Sequence, residues 1–335
     1  KGFNILELSG TILPSQGTVV RTASETWKFI WKRMMAELAP QDKTGGYQRP
    51  TYPFSRSVTN LVTTAPGRYH LYTGNPCPWC HRTVLAVKYM ELEDIISITK
   101  LEDNPVKASR GGWVFSGTEP DVHFGCKDLR ELYDRLKPGY QGRCTAPLLV
   151  DVREQSIISN ESADIVRMVN DASRSETKNL YPENLRTMID DTNGWVYETI
   201  NNGVYRCGFS TSQKAYDLAS MDVREGLNRC NEILSSQAYL CGNDFSEADL
   251  RLLPTVLRFD GAYAPLFRAG GGHTRMRDYE HIQRWLNQCW NEHPAVRESI
   301  DLADACGSYY KQLFPLNPGG LMPSPPVSAS LLGLE

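Results

Sequence analysis

Residues 69–82 read YHLYTGNPCPWCHR, and their reading decides the fold. The apolar run at 69–73 predicts a short buried strand. Gly74, Asn75 and Pro76 break it. Cys77, Pro78, Trp79 and Cys80 follow, and the apolar period over 83–92 predicts a helix. Strand, turn, CxxC and helix form the context in which this motif serves redox or thiol-transfer chemistry. Cys77 falls at the helix N-terminus, where unpaired amides and the helix dipole favour a thiolate, the nucleophilic form. Pro78 sits in the first turn, where an N–H is not needed. Three other readings compete. Cys77, Cys80 and His81 match the c-type haem signature CxxCH, but that attachment goes with an exporting signal peptide, and none is visible. Half a zinc site would need a second CxxC or HxxxH pair, and the sequence has none. Two buried structural cysteines are the third alternative, since Cys is often simply buried.

At 335 residues the chain can hold two domains. A composition of 41% apolar and 22% charged residues is that of a globular protein, and a net charge of −3 gives no reason to expect nucleic acid or an anionic membrane as partner. No apolar run approaches a membrane span. Nine cysteines, an odd number in no compact framework, point to a reducing compartment. The cytoplasm is the expected location. The start at Lys1 suggests a removed leader, and so leaves a plastid or other organelle as the alternative.

Working outward, residues 1–66 form an N-terminal extension. Within it 25–38 has helical spacing, with Trp27, Ile30, Trp31, Met34 and Met35 expected to pack on the body, and 45–66 reads as a loop wrapping that body. A compact α/β unit, 67–171, follows. After the first strand and helix come a strand at 95–99, an irregular insertion at 102–126 containing GGWVF at 111–115, and a helix at 127–136. Strands at 146–150 and 156–159 precede a helix at 161–170 with Ser159 or Asn160 as N-cap. This βαβ–α–ββ–α order is that of thioredoxin-like domains with glutathione-transferase topology. A polar linker, 172–186, leads to an all-helical domain, 187–323, and a tail, 324–335. Helices are expected over 186–202, 213–235, 246–259, 279–291 and 294–305, and FSEAD at 245–249 reads as a capping box with no chemistry of its own.

The CPW and HR of the first motif, NES before the last helix of the α/β unit, and FSEAD together resemble a glutathione transferase. RYHLY, GGWVF, LRELY, NESADIVRM, NNGVYRCGF, LRFD and NPGGLMP, in that order over about residues 66–323, resemble the glutathionyl-hydroquinone reductases, the Xi class. The resemblance implies a thioredoxin-like α/β N-terminal domain and an all-α C-terminal domain. It also implies glutathione as co-substrate, no metal and no flavin, a glutathionyl-hydroquinone or related aromatic substrate, and a homodimer. Cys77 matches the family's catalytic cysteine, and Trp113 the tryptophan that lies against glutathione. Ala146, before Pro147, matches the position whose backbone pairs with the cysteinyl group. Pro147 matches the family's cis-proline, and Glu161 and Ser162 match the acid and hydroxyl that hold the γ-glutamyl end. Tyr205 matches a tyrosine near the quinol, and Tyr309 or Tyr310 falls where the family has a second one.

The chemistry of these residues agrees with that assignment. Glu161 can accept from the γ-glutamyl ammonium, while Ser162 and the amides beside it can donate to the carboxylate. Alone, Glu161 would read as a first-turn acid complementing the helix dipole. Tyr205, between Gly203 and Gly208, is expected on a turn that leaves its hydroxyl free for a ligand. Two departures stand out. Cys80 replaces the usual Ala after CPW, which opens a glutaredoxin-like disulfide route and a rival reading as an omega-like reductase of mixed disulfides or dehydroascorbate. Ser308 and Lys311 stand where histidines usually flank the paired tyrosines. A non-catalytic protein that binds an aromatic ligand between the domains is the alternative from another class.

Overall fold

The computed structural model describes residues 15–56, 66–109, 111–175 and 177–334. The first part of the N-terminal extension, 1–14, and residues 57–65 of the expected loop lie outside them. Helix α1, Gln16–Leu38, is longer than the sequence suggests. It docks by its C-terminal end alone. Met35 is buried and the Trp31 indole donates to Pro315 O at 2.9 Å, but Trp27 and Ile30, expected against the body, are exposed.

Strand β1, Tyr69–Thr73, is buried at every position. The reason is its place in the sheet. It pairs in parallel with β2, Ile96–Lys100, and antiparallel with β5, Leu148–Asp151, which pairs antiparallel with β6, Ser156–Ser159, giving the order β2-β1-β5-β6. A central strand covered on both faces carries an apolar run rather than an alternation. Between β1 and β2 lies α2, Pro78–Tyr89, which Cys77 caps: its sulfur accepts from Cys80 N at 3.4 Å. The insertion folds into a two-residue ladder, β3 Glu102–Asp103 against β4 Trp113–Val114, which sets Asp103 opposite Trp113. Helix α3, Leu129–Leu136, β5 and β6, Ser156–Ser159, follow, and α4, Ser162–Asp171, completes the unit. Its N-cap is Glu161, not Ser159 or Asn160. The Glu161 carboxylate takes the Ala163 amide at 3.2 Å, while the Ser159 hydroxyl donates to Phe54 O.

The helical domain contains α5, Arg186–Val196; α6, Gly203–Phe209; α7, Gln213–Leu234; α8, Glu247–Arg258; and α9, Glu280–Glu292. The expected helix at 294–305 is two, α10 Pro294–Glu298 and α11 Leu302–Gln312, because Asp301 turns in to cap α11 through Asp304 N. Wide turns with an i to i+5 hydrogen bond, Tyr197–Asn201 and Phe259–Tyr263, end α5 and α8. Each inserts one residue and re-aims the side chains that follow, as such bulges often do beside functional sites. The Ser246–Asp249 capping box is present. Its neighbour Glu247 is fully buried between Arg251 (2.6 Å) and Arg167 of α4 (3.1 Å), so this helix start also joins the domains. Among the described residues no helix is long and apolar enough to cross a membrane.

Candidate active site

The site grows from the turn between β1 and α2. Gly74 is required there because the Trp113 ring lies 2.1 Å from where a Cβ would stand. The turn is then held from across the domain interface. Arg258, fully buried at the end of α8, donates to Pro76 O (Nε, 3.0 Å) and Asn75 O (Nη2, 2.7 Å). It also donates to Pro254 O and to His81 Nδ1, both at 3.0 Å. His81 therefore accepts at Nδ1 and donates at Nε2 to Ser299 Oγ, 2.8 Å away, which commits both ring nitrogens to packing. Burial, and then Arg258, hold this imidazole well below its ordinary pKa, so it is neutral. Next to it, Arg82 donates to Asn201 Oδ1 at 2.6 Å and to Arg251 O. The HR of the motif is thus the seam between domains.

Cys77 faces the backbone of Ala146, its sulfur 3.7 Å from the Ala146 carbonyl oxygen, and the Ala146–Pro147 bond is cis. Burial pushes the Cys77 thiol up. Hydrogen bonds from the Cys80 thiol and from the Cys80 and Trp79 amides, together with the Arg258 charge, outweigh it, and the net shift is below the ordinary 9.0. Cys80 moves the opposite way, well upward, through burial and the neighbouring Cys77. Of the two thiols Cys77 is therefore the more readily ionised, and the Cys80 thiol donates to it. The rate constant kcat/KM is expected to rise with pH through the Cys77 ionisation, with its midpoint below 9.0. A midpoint at or above that value in a stopped-flow pH profile would contradict the lowered thiol pKa.

Above Cys77 lies a cavity of about 230 Å³ lined by Trp79, Asp103, Trp113, Ala146, Tyr205, Tyr309 and neighbours. Tyr205 is on helix α6 and not on a turn. Its flanking glycines serve packing: a Cβ on Gly208 would sit 2.4 Å from the Phe267 ring, and one on Gly203 3.0 Å from Val223. The Tyr309 hydroxyl lies 2.7 Å from that of Tyr205 and 2.8 Å from that of Tyr263. Tyr310 turns away and donates to Gly261 O at 3.0 Å, so of the pair only Tyr309 reaches the cavity. Burial, and then the neighbouring tyrosines, push Tyr205 and Tyr309 well above 10, which keeps both protonated at neutral pH.

Glu161 and Ser162 meet at the start of α4, with the Ser162 hydroxyl donating to Glu161 Oε1 at 3.3 Å. Residues that sequence reading missed are Tyr263, Asp103 and Arg258. Asp103, pushed to about 6 by burial and by Asp304, lines the cavity opposite the tyrosines. A larger cleft, about 490 Å³, lies by the linker between Tyr89, Tyr239, Phe245 and His293, but holds no thiol. Among the described residues no cluster of three His, Cys, Asp or Glu side chains could hold a metal ion.

Two family models match, the N-terminal domain of glutathione S-transferase over 76–172 and its C-terminal domain over 213–288. The glutathionyl-hydroquinone reductase YqjG of Escherichia coli is 39% identical over 299 residues, covering 83% of this chain and 89% of that one. Its glutathione-bound structure matches with a TM-score of 0.74 at 36% identity, covering 82% of this chain and 93% of that one. The crystal structure of the Xi glutathione S-transferase of Phanerochaete chrysosporium matches with a TM-score of 0.78 at 34% identity, covering 86% of this chain and 95% of that one. Fold, motif order and these relatives agree: the chain belongs to the glutathionyl-hydroquinone reductases, the Xi class of the glutathione transferases.

Proposed function

We propose that the chain reduces glutathionyl-hydroquinones to hydroquinones at the expense of glutathione. One observation supports the reading: a thiol at a helix N-terminus lines the same cavity as Tyr205 and Tyr309, whose hydroxyls are hydrogen-bonded to each other. In the proposed reaction the Cys77 thiolate attacks the glutathionyl sulfur. An S–S bond forms as the sulfur–aryl carbon bond breaks, and the electron pair leaves with the ring carbon. Tyr205 or Tyr309 supplies the proton that carbon takes up, and Tyr263 can refill it through the hydroxyl chain. Tyr310 has no part in this step. A second glutathione attacks the mixed disulfide, releasing oxidised glutathione and restoring Cys77.

Glutathione fits the opposite end of the site. Trp113 would flank it, the Ala146 backbone beside Pro147 would pair with its cysteinyl group, and Glu161 and Ser162 would hold its γ-glutamyl end. Glu161→Ala is expected to weaken glutathione binding roughly ten- to hundredfold, the loss of a charge-assisted hydrogen bond of about 1.5–3 kcal/mol. An unchanged calorimetric dissociation constant would remove Glu161 from the site. We place the enzyme, as a homodimer, in a reducing compartment such as the cytoplasm; a monomer mass by light scattering would contradict the dimer.

Cys80 favours a second reading, a dithiol reductase of mixed disulfides, since its thiol lies against Cys77. Steady-state turnover of a glutathionyl-hydroquinone against a simple mixed disulfide separates the two. On the first reading the hydroquinone conjugate is the better substrate, and Cys80→Ala keeps most of the activity. Loss of the Cys80 hydrogen bond should still raise the Cys77 pKa, so the variant's pH profile moves to higher pH. A large drop in rate, with glutathionylated Cys77 accumulating during turnover, would favour the dithiol reading.

A further inference from the structure

Residues 40–56 form a strap that crosses from the helical domain to the α/β domain. At one end the Gln41 amide donates to Phe209 O (2.8 Å), Thr211 N to Gly45 O (2.9 Å) and the Ser212 hydroxyl to Thr44 O (2.7 Å). At the other end Asn160 N donates to Phe54 O (3.2 Å), Arg56 N to Ile158 O (3.0 Å) and the Ser55 hydroxyl to Asp164 (2.5 Å). The strap is therefore fixed at both ends, and the second end is the start of α4, where Glu161 and Ser162 lie.

Between the anchors, the Arg49 guanidinium lies 3.5 Å over the ring of Trp79, the tryptophan of CPW, with Tyr52 and Tyr197 at 5.3 and 5.9 Å. A guanidinium stacked on an indole directs its N–H groups outward in its own plane, the geometry that grips a carboxylate with two parallel hydrogen bonds. Among the described residues Arg49 makes stacking contacts and longer-range charge interactions, Glu161 included, but no ion pair. A half-buried cation on a doubly anchored strap, without a carboxylate partner, is held ready for an anion that arrives.

The α4 terminus shows which anion. The Ala163 amide there is already taken by the Glu161 carboxylate, which also accepts from Ser162. An α-amino-acid group reaching this corner meets an acid for its ammonium, while its carboxylate still needs a cation. We propose that Arg49 pairs with the α-carboxylate of the γ-glutamyl group of glutathione, so that the N-terminal strap completes the binding site. The inference rests on the glutathione reading above.

Isothermal titration of S-methylglutathione, which cannot react, tests it on the full chain and on Arg49→Gln and Arg49→Lys. Two S-methylated analogues locate the effect: glutaryl-cysteinyl-glycine keeps the carboxylate and lacks the ammonium, and γ-aminobutyryl-cysteinyl-glycine does the reverse. Arg49→Gln should weaken S-methylglutathione and the glutaryl analogue about tenfold or more, leave the γ-aminobutyryl analogue within about twofold, and be partly rescued in Arg49→Lys. Equal losses for both analogues would mean that Arg49 acts only by supporting Trp79, and no loss would remove it from the site; either overturns the proposal. Failure of the unaltered protein to bind S-methylglutathione would overturn the glutathione reading itself and the inference with it.

Discussion

Replacing Cys77 with serine is expected to lower turnover of a glutathionyl-hydroquinone by a factor on the order of 10³ or more while leaving the fold in place. The side chain is half-buried at the start of α2, where a serine hydroxyl can take the same Cys80 amide. A hydroxyl in this position has no neighbouring base to ionise it. Its surroundings are the Cys80 thiol, the amides, and Arg258, which suit an anion that already exists. A serine variant that keeps even a tenth of wild-type turnover would refute nucleophilic attack by this residue.

Arg258 carries the second large effect. It sits in the helical domain, yet its guanidinium binds the two carbonyls immediately before Cys77 and one ring nitrogen of His81. Arg258→Gln should strand the Asn75, Pro76 and Pro254 carbonyls in a buried place and cost roughly 2–4 kcal/mol of stability, at about 1–3 kcal/mol for each buried group left unsatisfied and with partial relaxation. It should also raise the Cys77 pKa, because a positive charge beside a thiolate favours the ionised form. The other groups facing Cys77 do not compensate. Cys80 stays protonated, and Tyr205 and Tyr52 are neutral, their pKa values raised by burial. The ultraviolet absorbance of the thiolate should therefore appear at higher pH in Arg258→Gln and return partway in Arg258→Lys. Loss of stability with an unchanged thiolate titration would reduce Arg258 to a packing role.

Much of this was legible in the residues. The β1–turn–α2 unit follows from one apolar run, three breakers and a helical period, and its strand bounds match the structure. The capping box of α8 follows from local chemistry as well, whereas local chemistry puts the cap of α4 at Ser159 or Asn160, short of Glu161 where it stands. What was not legible has two physical causes. One is rotation about a helix. Neighbouring residues point about 100° apart, so nothing in the adjacent letters says that Tyr309 meets Tyr205 while Tyr310 meets Gly261. The wide turn at Phe259–Tyr263 shifts this phase again and brings in Tyr263, which a plain helix reading cannot place.

The other cause is long-range pairing. Gly203 and Gly208 suggest a turn by composition, but they are small because Val223 and Phe267 come from elsewhere to fill the space. Arg258 stood in a recognised motif, LRFD, with no role assigned, since its partners lie about 180 residues earlier in the chain. Arg49 is similar, a single charge in an aperiodic stretch until the strap lays it over Trp79. The exposed Trp27 and Ile30 of α1 mark the limit of the opposite kind, helical periodicity that the body does not use.

The central claim is that the glutathionyl group passes through Cys77. Intact-protein mass spectrometry after one turnover tests it directly. The Cys80→Ala variant is mixed with an equimolar glutathionyl-hydroquinone and no free glutathione, so that neither Cys80 nor a second glutathione can resolve the product. The expected result is one glutathione adduct per chain, mapped to Cys77, with one hydroquinone released for each adduct formed. Hydroquinone released without an adduct, or an adduct mapped to any other cysteine, would contradict the account.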